Sequence, residues 1–202
     1  DEEISKVRYG METLSKYFVK ETGINAMKKG LETLSFEELE SRASEINYND
    51  IYNQLKDLNG KKDSLIQDIT KLNSSINELR PWIKLNSPIR DLNKFEKSEM
   101  LLGTIPKKLR QKVETELLDM EYTYFEILSE DKENLYIFAI TSKSEIEALR
   151  ETLRNNSFSS IKLTGEDEPS IEISKIQDQI DKNQNEIKIY DDKIKQLSNR
   201  LP

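Results

Sequence analysis

The chain has 202 residues, 35% of them hydrophobic and 34% charged, with a net charge of −7. So few apolar residues cannot wrap one large core, but they suffice for thin helical arms and one small domain. The lack of cysteine and histidine removes disulfides, thiolate metal sites and the commonest general base, while the acidic balance argues against nonspecific binding to nucleic acid or anionic membranes.

Ile4, Val7, Met11, Leu14 and Phe18 recur at threes and fours, which predicts a first helix over about 4–20, with Gly23 as its stop. Ser35 and Glu38 form an S-x-x-E capping box for a second helix expected over about 36–80. It should end before Pro81, whose ring disfavours helix in the preceding residue. Inside it, Tyr48, Ile51, Leu55, Leu58, Leu65, Ile69, Leu72, Ile76 and Leu79 keep a heptad rhythm broken only at Lys62. Residues 1–80 therefore read as a helical arm.

Residues 81–169 read as an α/β head. Trp82, Ile83, Leu85, Ile89, Leu92 and Phe95 are expected to close its base. Strands are expected at 99–105, 121–128, 134–141 and 157–163. A helix over 106–118, opened by Pro106, should bury Leu109, Val113, Leu117 and Leu118. Another over 143–154 should bury Ile146, Leu149 and Leu153 behind a Ser142–Glu145 capping box. The order β-α-β-β-α-β is the ferredoxin-like arrangement, so the fold class is α+β.

From 170 to 202 a returning helix repeats the heptad rhythm through Ile173, Ile176, Ile180, Ile187, Tyr190, Ile194, Leu197 and Leu201, broken at Asn183. Two seams flanking one insert predict a long antiparallel helical hairpin, a coiled-coil arm carrying the head. In a register where paired numbers sum to about 252, Leu58 faces Ile194, Asn183 faces Ile69, and Lys62 lies opposite Tyr190 with its ammonium turned outward. The first helix adds a third strand low on this arm. The chain begins at Asp1 and the second seam runs to its end, so it reads as a stretch of a longer protein.

No P-loop, dinucleotide fingerprint, zinc-protease motif or EF-hand loop occurs, so no catalytic, cofactor or metal site is expected. Glu166, Asp167 and Glu168 form an acidic turn at a helix start, favourable there without any metal. Lys107, Lys108, Arg110 and Lys112 read either as a docking patch for an acidic partner or as an ordinary solvated face, the commoner case. Tyr122, Tyr124 and Glu126 point to one side of their strand, and Tyr136 and Phe138 to one side of the next. An open aromatic face of that kind resembles an RNA-recognition surface, but the RNP1 pattern is missing. The other reading makes these aromatics core, or packing against the arm or a protein partner. A nucleic-acid-binding coiled-coil arm with a hinge-like head is the alternative to a scaffold role.

Taken together, the hairpin, the entry PWIKLNSPIRDL, the step at Gly103, Thr104, Ile105 and Pro106, and the strand LYIFAIT resemble the cytoplasmic domain of subunit I of A/V-type rotary ATPases, called subunit a in eukaryotes. The resemblance covers about residues 36–202. It implies a non-catalytic stator on the cytoplasmic face of a membrane, without cofactors, whose distal lobe (here the head) holds the peripheral-stalk subunits E and G. It also implies that the ion-translocating membrane half lies elsewhere in the parent protein. Tyr122, Tyr124 and the four basic residues of the 107–112 stretch are the candidate partner surface.

Overall fold

The computed structural model describes residues 2–17, 47–92 and 94–198. Among them, five α-helices and four strands follow one another: α1 (Glu2–Leu14), α2 (Tyr48–Leu79), β1 (Ser98–Pro106), α3 (Arg110–Leu118), β2 (Thr123–Glu130), β3 (Asn134–Ser142), α4 (Ile146–Asn155), β4 (Ser159–Ser160) and α5 (Pro169–Ser198). Short 3-10 turns occur at Arg80–Trp82, Ile89–Asp91 and Lys107–Leu109. The chain divides into two compact units, one running to Ile69 and resuming at Asp181, the other spanning Thr70–Ile180. The second takes in the last turns of α2 and the first turns of α5 as well as the segment 81–169.

In the first unit, α1 is helical only to Leu14, followed by a turn in which the Tyr17 amide bonds the Leu14 carbonyl. Phe18, Gly23 and the Ser35–Glu38 box lie outside the described residues. Of the second helix expected over 36–80, the part before Asn47 lies outside the described residues. Helix α2 starts at Tyr48, because Asn47 leaves helical geometry and its Oδ1 accepts the Asp50 amide at 3.1 Å, a side-chain N-cap. Leu14, Leu55, Ile194 and Leu197 form the buried core of this unit. Ile4 and Met11, on the same periodic stripe as Leu14, are exposed.

The second unit is built on a four-stranded antiparallel sheet of order β2-β3-β1-β4. Leu101 and Ile105 of β1, Phe125 and Ile127 of β2, and Leu135, Ile137 and Ala139 of β3 pack against Val113 and Leu117 of α3 and Leu149 and Leu153 of α4. Leu118 is not part of this face. It is 76% exposed, since the next residue on a helix lies about 100° round from Leu117. The first turn of the expected 106–118 helix is a 3-10 turn, with Pro106 still in β1.

Two local departures follow from groups finding partners other than the expected ones. The Ser142–Glu145 box does not form. The Glu145 carboxylate instead accepts the Tyr122 amide at 3.0 Å and the Thr123 hydroxyl at 2.7 Å, and Ser142 bonds Ser144. The last strand is two residues long, not seven. Ser157 adopts a left-handed conformation at φ 57°, the Phe158 amide bonds back to the Leu153 carbonyl, and after Ile161 bonds Leu102 the chain leaves the sheet. Gly103 makes this crossing possible: a Cβ there would lie 2.3 Å from the Phe158 ring and from the Ser159 carbonyl.

Candidate interaction surface

The sheet face away from α3 and α4 is where the sequence allows an aromatic platform. Tyr136 and Phe138 do point to it, yet they pack against a second buried cluster of Leu79, Trp82, Leu85, Ile89, Leu92, Leu102, Leu128 and Leu163, joined by Ile173 and Ile176. Trp82 meets Tyr136 edge to face at 5.6 Å, and Ser129 donates to the Pro81 carbonyl at 2.7 Å, fastening the 80–82 turn to β2. These aromatics are core. Tyr122, in the turn just before β2, and Tyr124, on that edge strand, differ: they stand 60% and 57% exposed. The Tyr124 ring lies edge-on to Phe138 at 6.3 Å and its hydroxyl donates to Glu126, whose charge holds the phenol above its ordinary value.

The basic stretch is largely compensated within the fold. Lys107 bonds Glu130 at 2.8 Å, and Arg110 converges on the same carboxylate while also reaching Glu114 at 3.5 Å. Lys112 lies 3.8 Å from Glu116. Of these four, Lys108 alone stands exposed without an ion pair to a described residue. Nothing in the sequence marked Glu130, which sits at the end of β2 and is brought to the 107–110 turn by strand pairing.

The acidic turn before α5 is likewise engaged. Asp167 is bonded by Lys175 at 2.5 Å, which together with the lysine's charge holds it below the usual carboxylate range. Glu172 accepts the Asp167 amide at 2.9 Å and is lowered mainly by that bond. The Ile89 and Arg90 amides bond the carbonyls of Asp167 and Glu166. Among the described residues no group of three or more acidic side chains is placed to hold a metal ion.

On α2 and α5 the heptad positions are shielded, apart from Tyr48, which is exposed. Leu55, Ile76, Leu79, Ile180, Ile194 and Leu197 are buried, and Ile51, Leu58, Leu65, Ile69, Leu72, Ile173, Ile176, Ile187 and Tyr190 are half-buried. Ile66, Ile171 and Ile189, off the rhythm, are exposed. Within the first unit Leu55 shares a cluster with Ile194 and Leu197, while Lys62 pairs with Asp191, so these helix segments run antiparallel. The Lys62 ammonium does not turn outward. It bonds Asp191 and the Tyr17 hydroxyl, the latter at 3.1 Å, and Tyr17 donates to Asp191 at 2.7 Å. Burial works against both charges. The mutual hydrogen bonds overcome it, lowering Asp191 and raising Lys62. The antiparallel register puts Asp191 within one residue of the position expected to face Lys62, but Tyr17 comes from α1's exit and had no sequence signal. Tyr190, the expected neighbour, bonds Glu186 at 2.6 Å instead.

No protein family and no curated protein matches this sequence. Among solved structures, it is similar to a crystal structure described as the cytoplasmic N-terminal domain of subunit I, homolog of subunit a, of V-ATPase. The likeness is one of fold. It has a TM-score of 0.50 over 98% of this chain at 11% identity, and spans 62% of the other chain. Both share an α+β architecture. No helix among the described residues of this chain is long and apolar enough to cross a membrane.

Proposed function

We propose that this chain is a non-catalytic stator segment of a rotary ATPase, on the cytoplasmic face of a membrane, with the sheet unit docking the peripheral-stalk subunits E and G. The observation that carries this reading is the likeness in fold to a V-ATPase subunit I domain along 98% of the chain. In the same reading α2 and α5 are the limbs of an antiparallel hairpin, and the strand order β2-β3-β1-β4 is a ferredoxin-like head. A stator resists torque, and packed antiparallel helices resist it better than a loop-linked chain. Tyr122 and Tyr124 are the aromatic anchors of the docking surface, since exposed tyrosines supply large contact area at low entropic cost.

Calorimetric titration with a purified E/G heterodimer tests this. Binding at micromolar affinity or tighter is expected, weakened at least tenfold by Tyr122→Ala with Tyr124→Ala at unchanged melting temperature. Absence of E/G binding, with salt-dependent binding to RNA instead, would sink the proposal. The burial of Tyr136 and Phe138 against Trp82 weighs against that RNA outcome, because a stacking platform needs free ring faces.

A further inference from the structure

The short β4 leaves part of one edge of β1 without a neighbour. Gly103 and Thr104 pair with Ser160 and Ser159, and the Leu102 carbonyl accepts the Ile161 amide at 2.8 Å. Backbone groups alternate in direction along a strand. The Leu102 bond therefore fixes Met100 as the next residue whose N–H and C=O both point to this same edge. There the 161–165 segment has already left the sheet, and no strand among the described residues pairs with Met100 on that side. The gap is a cleft of about 520 Å³ rather than a flat edge. Ile89, Leu92, Met100, Leu102, Ile161 and Leu163 give it apolar walls. Its charged lining residues are Glu99, Arg90 and Lys162. Glu99 is already bonded by Arg150. Arg90 is held only loosely, at 3.8 Å from Asp167 and 3.9 Å from Asp91, and Lys162 has no ion pair among the described residues. The uncommitted charge at this rim is positive.

We infer that this cleft binds an extended acidic peptide segment of a partner protein, which adds a strand to β1 by bonding the Met100 N–H and C=O. An apolar side chain of the peptide packs over the cleft wall at Met100 and Ile161, and a flanking Asp or Glu meets Lys162. Strand addition of this kind takes its affinity from main-chain hydrogen bonds and its specificity from pockets for alternate side chains. The inference does not depend on the stator reading, and it concerns a different face from Tyr122 and Tyr124.

The test is to pan a phage-displayed random dodecapeptide library on the immobilised 202-residue chain, then study the strongest synthetic peptide by NMR. Enriched peptides should alternate apolar residues and carry Asp or Glu. At saturation the Met100 amide should exchange at least tenfold more slowly. N-methylation of one peptide bond in the apolar stretch should weaken binding at least tenfold, and so should Lys162→Glu, an exposed change that should leave the melting temperature unmoved. Failure to enrich any peptide, unchanged Met100 exchange in the bound state, or indifference to Lys162→Glu overturns the inference. Met100 protection that grows with chain concentration alone also overturns it, assigning the edge to a second copy of the chain. None of these outcomes bears on E/G binding.

Discussion

Gly103 has no room for a methyl group. The Phe158 ring and the Ser159 carbonyl both occupy the position a Cβ would take, and the carbonyl belongs to the backbone of the pairing strand. Gly103→Ala should therefore cost about 1–3 kcal/mol, as overpacking does, read as a lower urea midpoint with an unchanged slope. Ser157 presents the reverse case. It holds the left-handed position that ends α4, where glycine carries no steric penalty. Ser157→Gly should raise stability by roughly 0.5–1 kcal/mol in the same measurement. Lys62, Asp191 and Tyr17 form a third residue-scale test. A double-mutant cycle of Lys62→Met and Asp191→Asn should return a coupling on the order of 1 kcal/mol, because Asp191 is still partly exposed to water. A coupling indistinguishable from zero would mean that the triad is incidental to packing.

At the scale of elements, the 80–92 segment does the work of a third layer on the sheet. Trp82 is almost fully buried against Tyr136, and Ser129 ties the turn beneath it to β2. Trp82→Ala should cost about 3–5 kcal/mol and raise hydrogen exchange in β2 and β3 before α1 is affected. Exposed Tyr124, one strand away, should tolerate alanine within about 0.5 kcal/mol. The same contrast shows what sequence reading achieves here. Strand alternation placed Ile137 and Ala139 opposite Tyr136 and Phe138, because side chains on a pleated strand must alternate. It left open whether the second face would be covered, since the cover comes from 3-10 turns with no periodicity of their own. For the same reason Leu118 was grouped with Leu117: adjacent leucines on a short helix carry no period with which to separate them.

For the whole molecule, the charged groups define a pH window. Asp131, Asp167, Glu172 and Asp191 all sit below their ordinary values of 3.8 for Asp and 4.5 for Glu. For Asp131 the cause is the amides of Asn134 and Glu133 and the Tyr136 hydroxyl. A carboxylate lowered by folding stabilises fully above its unfolded value, and that contribution is lost as pH falls through the folded one. Lys62 and Lys175 are raised above 10.5, so their contribution is full below that value and lost as pH rises through the folded one. The melting temperature should be nearly flat from about pH 5.5 to 9 and fall below about pH 4. With no histidine in the chain, a step between pH 6 and 7 would contradict this account.

The sequence by itself determined the order of elements, the inward stripe of the sheet and of α4, and the break before Pro81, since these follow from local sterics and from the fixed periods of helix and strand. Only the tertiary structure decided which polar groups meet. Glu145 abandons its own helix for β2, Lys62 turns to Asp191 and Tyr17, Lys107 and Arg110 share Glu130, and β4 stops after two residues. Such pairings join residues far apart in the chain. Their energies depend on distance and burial, which no local pattern encodes.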